Sequence, residues 1–350
     1  MGEVTADEIL KISRVPRFSL RRRWRLALIG VGGIAQSAHL PAYRKGQQIG
    51  LPIEVVAAAD VDEGQRERAR RLWGIPAVYA DFREMLERER PDVVDITLHW
   101  ERHADAKLAA VQTAAEYGCH ILLQKPMAAT WEQCVAMVEA AKKAGVLLAV
   151  NQNARFAPTF FAARRLAEAG AIGKPFALLL RSDFPNRYPA MVHDFCVHTM
   201  DLLRWLMGET PKIEAVMAQR DDRFRWCVTF LARYPNGAVA TAIDTTCTPF
   251  ATGWRCELHG TEGSLIGTER YDNAVTMEPP KLQWVSERGE VVLRGTYRYV
   301  PDAFLWTLCD LLEAAEQERT PLCSGDDNLQ TMKLLFDAEK LLADATIEVE

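Results

Sequence analysis

The sequence GVGGIA, residues 30–35, follows the short apolar run WRLALI and has the pattern G-x-G-x-x-A. In this pattern Gly30 permits a tight turn, Gly32 permits a pyrophosphate to approach the backbone, and Ala35 permits a helix to pack on the strand. A helix that begins here presents free backbone N–H groups to phosphate oxygens. The segment therefore predicts a dinucleotide site at the end of a first β-strand.

Asp60 supports this prediction, because it ends the next apolar run, IEVVAAAD at residues 53–60. A carboxylate at this place accepts hydrogen bonds from the adenosine ribose hydroxyls and repels a 2′-phosphate. We therefore expect NAD as the cofactor. NADP stays possible, since Arg66 and Arg68 could pair with a phosphate. The competing interpretation is a glycine turn in another kind of α/β domain, where Asp60 only caps a helix.

The pattern of the chain changes near residue 151. Before it, apolar runs alternate with helical patterns, which predicts a parallel sheet with right-handed crossovers. After it, strand patterns dominate, and Asn236-Gly237 is a strong hairpin signal. We expect an N-terminal extension at residues 1–23, a dinucleotide-binding domain at 24–150 and a second domain at 151–350.

Composition excludes several classes of function. The 350 residues carry a net charge of −5, so no basic excess favours nucleic acid or anionic membrane. The eight cysteines include no C-x-x-C pair and no zinc-ligand spacing, so we expect no metal and a reducing, cytoplasmic compartment. The arginines at 21–23 suggest a twin-arginine signal, but the apolar run after them is too short to span a membrane. The extension is then a solvated arm or an oligomer contact.

The segment HDFCVHTMD, residues 193–201, is a candidate for acid–base chemistry. On one predicted helix, 193–208, Asp194, His198 and Asp201 stand at i, i+4 and i+7 and share a face. A carboxylate beside an imidazole suits the proton transfer that accompanies alcohol–ketone interconversion. A structural histidine explains the same spacing, and His193 next door weakens the signal.

The segment HILLQKPMA, residues 120–128, places Lys125 at the end of a predicted strand. The carboxyl ends of strands line the ligand crevice in an open parallel sheet. Pro126 fixes the chain there. An ammonium in that crevice could donate to a substrate oxygen, whereas the plainer interpretation is a solvated lysine.

Together these segments resemble the Gfo/Idh/MocA oxidoreductases, the glucose–fructose oxidoreductase and inositol dehydrogenase group. The resemblance covers roughly residues 24 to 345. The segments that carry it are ALIGVGGIAQSAHLPAY, AAADVD, YADFREML, PDVVDIT, GCHILLQKPMA, NARFAP, AGAIGKP, DFCVHTMDLLRWLMGE and LHGTEGSL.

The resemblance implies an α/β fold with an N-terminal Rossmann domain, a doubly wound parallel sheet, and a C-terminal α/β domain with a large, mainly antiparallel open sheet. Such a sheet commonly forms the oligomer interface, so a homodimer or homotetramer is expected. Lys125 matches the lysine of the family's E-K-P motif, and Asp194 and His198 match its D-x-x-x-H motif, with catalytic roles. The implied cofactor-binding residues are Gly30, Gly32, Gly33, Ile34, Asp60, Thr97, Gln124 and Asn153, and the implied substrate-binding residues are Lys125, Arg155, Asp194 and His198.

Three departures from the family pattern concern the expected site. Gln124 replaces the glutamate of E-K-P and removes a negative charge beside Lys125. Thr97-Leu98-His99 stands where the family has T-P-N, and RYPAMVH, residues 187–193, replaces a glycine-rich lead-in. The last two lie near the expected substrate mouth, so they argue against assigning a standard sugar.

The predicted activity is NAD(P)-dependent hydride transfer between nicotinamide and a secondary alcohol or ketone of a sugar, polyol or related compound. Lys125 would polarise the reacting oxygen and His198 would exchange its proton. Two alternatives stay open. One is an enzyme with a tightly bound, recycling nicotinamide that performs transhydrogenation or glycoside cleavage, and the other is a non-catalytic regulator that binds a dinucleotide or sugar.

Overall fold

The computed structural model describes residues 6–12, 16–184, 190–221, 223, 225–247, 253–270, 280–287, 289–343 and 346–349. Residues 1–5 and 13–15 of the predicted extension, and 187–189 of the RYPAMVH segment, lie outside these ranges. The chain forms two compact units. The parallel-sheet unit comprises Arg17–Asn153 and Phe304–Leu329, and the large-sheet unit comprises Met1–Pro16, Ala154–Ala303 and Gln330–Glu350.

The helices and strands carry labels in chain order. The helices are α1 (Ala6–Ile12), α2 (Leu40–Gln48), α3 (Glu63–Trp73), α4 (Phe82–Glu89), α5 (Ala104–Glu116), α6 (Trp131–Ala144), α7 (Pro158–Glu168), α8 (Met191–Asp194), α9 (Val197–Met207), α10 (Phe304–Glu316) and α11 (Gly325–Ala343). The strands are β1 (Trp24–Ile29), β2 (Ile53–Ala59), β3 (Ala77–Tyr79), β4 (Val93–Ile96), β5 (His120–Leu123), β6 (Leu148–Val150), β7 (Pro175–Asp183), β8 (Lys212–Asp221), β9 (Trp226–Arg233), β10 (Val239–Thr245), β11 (Gly253–Gly260), β12 (Gly263–Glu269), β13 (Lys281–Ser286), β14 (Gly289–Arg294) and β15 (Thr346–Val349).

The parallel-sheet unit contains a six-stranded sheet in the order β3-β2-β1-β4-β5-β6, with every pairing parallel. This is the strand order of a doubly wound sheet, whose order reverses between β1 and β4. All four residues of β4 are buried, as are the last three of β5, which agrees with strands covered on both faces. The sheet therefore brings the carboxyl ends of β1, β2, β4 and β5 to one edge, and this part of the predicted fold is confirmed.

Helix boundaries in this unit follow local capping signals. The Asp62 side chain accepts from the backbone N–H of Gln65 at the start of α3, and the Thr130 hydroxyl accepts from that of Gln133 at the start of α6. Gly145 ends α6 at φ +70°, a left-handed conformation that glycine adopts without strain. The predicted helix termini therefore rest on contacts within a few residues.

Residues 17–23 are fixed on α10 in the parallel-sheet unit. The Glu316 carboxylate accepts from the backbone N–H of Arg21 and from the indole N–H of Trp24, at 2.8 and 2.9 Å. Phe18 stacks on Trp306, with ring centroids 5.9 Å apart. Residues 17–23, the last part of the predicted extension, thus pack against the parallel-sheet unit.

The large-sheet unit contains a nine-stranded sheet in the order β14-β13-β12-β11-β7-β10-β9-β8-β15. Its pairings are antiparallel except β7 with β10 and β8 with β15. The predicted hairpin lies between β9 and β10, where Gly237 has φ +87°. Helix α7 packs on β12 and β13, and α9 packs on β7 and β10. The predicted mainly antiparallel sheet is confirmed.

The face of this sheet opposite those helices exposes apolar side chains. One row of paired residues crosses the sheet, from Leu231 to Thr241, Leu179, Glu257 and Ile266. Leu231 is 44% exposed, Leu179 46% and Ile266 38%. Within the unit this face therefore presents apolar surface to its surroundings.

Candidate functional site

The turn after β1 requires glycine at Gly30 but leaves space at Gly32. Gly30 has φ +84°, and a Cβ there would lie 3.0 Å from Leu98 Cδ2. A Cβ at Gly32 would meet no heavy atom within 4 Å. The Thr97 hydroxyl donates to the Gly30 carbonyl oxygen at 2.7 Å and holds the turn. Gly33 and Ile34 are exposed, and they begin the helical segment 33–39 that leads into α2. The turn therefore has the tight backbone and the open space that a pyrophosphate group requires.

Asp60 connects β2 to this turn. Its carboxylate accepts from the backbone N–H of Val31 at 2.8 Å and from that of Asp62 at 2.9 Å. Each carboxylate oxygen has further acceptor capacity for a ribose hydroxyl. The Arg66 guanidinium donates to the Asp60 and Val61 carbonyl oxygens, at 2.8 and 2.9 Å. These residues fit an adenosine ribose at the end of β2.

The segment after β5 forms a tightly held turn. The Gln124 backbone N–H donates to the Ile96 carbonyl oxygen, and the Gln124 side-chain oxygen accepts from the Asn151 amide, both at 2.9 Å. The Lys125–Pro126 peptide bond is cis. The Lys125 side chain is half-buried. Lys125 thus follows a carboxyl end of the parallel sheet, where the sequence predicted it.

A second lysine lies beneath this turn, and the sequence reasoning missed it. Lys107, in the first turn of α5, is completely buried, and its ammonium donates to the carbonyl oxygens of Gln124 and Pro126 at 2.6 Å each. One signal was available in the sequence. Lys107 falls on the buried face of α5 with Ala110, Val111, Ala114 and Ala115.

The chain around His198 differs from the single predicted helix. Asp194 ends the short helix α8, whereas His198 and Asp201 belong to α9, which begins at Val197. The prediction of one continuous helix over residues 193–208 is therefore wrong, because Phe195 and Cys196 separate α8 from α9. The His198 ring is buried and packs edge-on against Trp254, with centroids 6.1 Å apart. The neighbouring His193 has a separate partner, because its Nδ1 lies 3.0 Å from Glu339 Oε1.

Arg155 and Asp201 form a buried ion pair. The Arg155 guanidinium donates to both carboxylate oxygens of Asp201, at 2.7 and 2.5 Å, and Thr331 donates to the same carboxylate at 3.0 Å. Arg155 is 3% exposed and Asp201 is 0% exposed. This geometry favours a structural role for Arg155, whose predicted substrate contact stays a prediction. Asn153, a predicted cofactor residue, is buried in the short 3₁₀ helix Asn153–Phe156.

Two buried carboxyl groups lie at strand ends of the large sheet. Burial raises the pKa of Glu269 to about 8 and that of Asp244 to about 6. Asp244 accepts from the Thr199 hydroxyl at 2.8 Å. This hydrogen bond connects β10 to α9 at the residue that follows His198. The Glu269 carboxyl accepts from the Thr159 backbone N–H at 3.1 Å. No sequence pattern indicates either group, because both resemble ordinary strand residues.

Comparisons with known proteins place the chain in a family. A family model described as an oxidoreductase family with an NAD-binding Rossmann fold matches residues 24–152. A model of the GFO/IDH/MocA C-terminal domain matches residues 160–266. The chain belongs to the Gfo/Idh/MocA family of oxidoreductases, which carries an NAD-binding Rossmann fold.

Individual relatives cover most of the chain. A D-apiose dehydrogenase from Paraburkholderia graminis is 30% identical over 90% of this chain and 86% of its own length. A myo-inositol 2-dehydrogenase from Thermotoga maritima is 23% identical over 82% of this chain and 88% of its own. An oxidoreductase from Agrobacterium radiobacter, solved with NAD⁺, L-tartaric acid and magnesium, superposes with a TM-score of 0.77 at 20% identity, over 92% of this chain and 97% of its own. That last similarity supports the fold.

Among the helices of the described ranges, none combines the length and the apolar character needed to cross a bilayer.

Proposed function

We propose that the protein is an NAD-dependent dehydrogenase that oxidises a secondary hydroxyl of a sugar or polyol to a carbonyl, or catalyses the reverse reduction. The position of Lys125 carries the proposal. Its half-buried side chain follows the carboxyl end of β5, within the unit that also contains the glycine turn and Asp60. Sugar and polyol dehydrogenases among the relatives support this substrate class.

The balance of the reaction defines the roles that residues of the site must fill. A hydride leaves the hydroxyl-bearing carbon, a proton leaves the oxygen, and a C=O bond forms. Bound NAD supplies the hydride acceptor. The Lys125 ammonium donates a hydrogen bond to the reacting oxygen, and His198 accepts the proton, with Asp194 as its supporting carboxylate. The Lys125, His198 and Asp194 assignments rest on the family motifs that these residues match.

The choice of NAD over NADP rests on Asp60, because a ribose 2′-phosphate beside its carboxylate would meet like-charge repulsion. Arg66 already donates to two backbone carbonyls at the end of β2. We therefore expect a lower Kd for NADH than for NADPH.

The test is a panel of D-apiose, myo-inositol and levoglucosan with NAD or NADP, followed by the absorbance of the reduced nucleotide. On the best substrate, Lys125→Met is expected to lower kcat/KM by about 100-fold or more. Lys142→Met is the matched control, because Lys142 is a 61% exposed lysine of the same unit. Equal activity of Lys125→Met and wild type would refute the proposed role. A copurified nucleotide that turns over without net NADH would favour the recycling alternative.

We also propose that the protein is a cytoplasmic homo-oligomer that assembles through the exposed face of the large sheet. Three leucine and isoleucine side chains on that face are more than a third exposed, and exposed apolar patches commonly mark interfaces. The eight cysteines are free thiols, in keeping with a reducing compartment.

A further inference from the structure

Lys107 holds the backbone on both sides of Lys125. Its ammonium lies 2.6 Å from the Gln124 carbonyl oxygen and 2.6 Å from the Pro126 carbonyl oxygen. These acceptors belong to the residues immediately before and after Lys125. Although Lys107 is 18 positions earlier in the sequence, it thus contacts the Gln124–Lys125 and Pro126–Met127 peptide groups, which flank Lys125 and Pro126.

The burial of Lys107 makes these two hydrogen bonds energetically important. Its side chain is 0% exposed, and a buried ammonium is stable only where hydrogen-bond acceptors replace the water that it has lost. Hydrogen bonds from a charged donor are shorter and stronger than those from a neutral one. The two carbonyl groups and the ammonium therefore hold one another in place.

We propose that Lys107 is a positioning residue, whose buried ammonium fixes the Gln124–Pro126 turn so that Lys125 is oriented for the reaction. This inference rests on the proposed function of Lys125 and adds a requirement to it. A small displacement of a catalytic group costs about 100-fold in rate, so support from beneath the turn has a kinetic consequence. Because Lys107 is completely buried, it acts through the Lys125 turn and not on the substrate directly.

The first test is the Lys107→Met variant, which keeps most of the side-chain volume and removes the charge and the donors. We expect kcat to fall by about 10- to 100-fold while KM for the substrate and Kd for NADH change by less than about threefold. Lys142→Met, on the exposed surface of α6, is expected to keep wild-type values. An unchanged kcat in folded Lys107→Met would overturn the proposal.

A double-mutant cycle separates positioning from general stabilisation. In the Lys125→Arg background, which keeps a cation, adding Lys107→Met should lower kcat by less than about twofold, because the group that Lys107 orients is already replaced. If the second substitution lowers kcat by the same factor in both backgrounds, Lys107 acts independently of Lys125 and the proposal fails.

Two further measurements test the proposal if Lys107→Met fails to fold or if no substrate of the panel reacts. Lys107→Gln retains an N–H₂ donor and should recover part of the kcat lost in Lys107→Met, whereas equal kcat values would contradict the role of the hydrogen bonds. Hydrogen exchange does not depend on turnover. Faster exchange in residues 121–128 of Lys107→Met, with unchanged exchange in α6, is expected even if no panel substrate reacts. In that outcome the proposed function fails while the support of the turn stands, and unaltered exchange would refute that support.

Discussion

The side-chain amide of Asn151 donates to the side-chain oxygen of Gln124 at 2.9 Å, and both residues are buried. Gln124 follows β5 and Asn151 follows β6, so this bond joins the ends of two neighbouring strands. Gln124 is also the residue that replaces the family's glutamate. Its side chain therefore has a defined partner rather than a free position beside Lys125.

This bond predicts the effect of substitutions at Gln124. Gln124→Leu removes the acceptor and leaves a buried amide donor unpaired, so we expect a loss of about 1–3 kcal/mol in the free energy of unfolding. Gln124→Glu keeps an acceptor oxygen and should lose less. Urea unfolding of the variants measures this. The double variant Gln124→Leu/Asn151→Leu removes both partners and should be more stable than Gln124→Leu alone, and the reverse order would contradict the pairing.

The glycines after β1 should respond differently to alanine. Gly32→Ala meets open space, so we expect a melting temperature close to that of wild type but a Kd for NADH raised by about tenfold or more, because the new methyl group occupies the space for pyrophosphate. Gly30→Ala introduces a side chain at φ +84° and 3.0 Å from Leu98, so its melting temperature should fall. Calorimetry and fluorescence titration measure the two quantities. Unaltered NADH binding in Gly32→Ala would place the pyrophosphate elsewhere.

Glu269 should make stability depend on pH. Burial raises its pKa to about 8, whereas a glutamate in the unfolded chain has a pKa of about 4.3. Between these values the folded protein keeps the proton that the unfolded chain has released, so this group's contribution to stability is present at low pH and is lost as pH rises toward 8.

Glu269→Gln removes this titration and keeps the shape of the side chain. Its melting temperature relative to wild type should therefore rise by about 5 °C or more between pH 5.5 and pH 8. Glu262→Gln, at an exposed glutamate of the same unit, is the control and should keep a constant difference. A difference for Glu269→Gln that does not change with pH would show that the carboxyl is ionised throughout.

The exposed sheet face predicts the effect of added charge on assembly. Leu179 and Leu231 both pair with Thr241 and lie in one row, so Leu179→Lys/Leu231→Lys places two like charges at the proposed interface. We expect the double variant to dissociate to smaller species in light scattering coupled to size exclusion. Leu72→Lys, on the 51% exposed Leu72 of α3, should keep the wild-type mass. An unchanged mass in the double variant would locate the interface elsewhere.

Local signals explain what the sequence predicted well. The alternation of apolar runs with helical patterns predicted the parallel sheet, and the glycine turn, Asp60 and Lys125 all lie at the carboxyl ends of its strands. These features depend on residues within a few positions of one another, and a parallel sheet then determines which strand ends share an edge.

The features that sequence reasoning missed depend on distant residues. Asp194 and His198 have helical spacing, but α8 ends at Asp194 and α9 begins at Val197. Lys107 is buried because carbonyl groups 17 and 19 positions away accept its hydrogen bonds. Arg155 pairs with a carboxylate 46 positions away, which directs it into the fold. Spacing within one segment places Lys107 on the apolar face of α5 but does not identify these distant partners.

The route by which α10 completes the parallel-sheet unit affects how the protein forms during synthesis. Residues 304–329 belong to that unit, and Glu316 accepts hydrogen bonds from the backbone just before β1. Nearly the whole chain must therefore leave the ribosome before the nucleotide-binding unit is complete, although β1–β6 are made first. Nascent chains that end before residue 304 should remain more sensitive to protease in this unit than released full-length protein. Residues 154–303 of the large-sheet unit are therefore translated before the parallel-sheet unit has received α10.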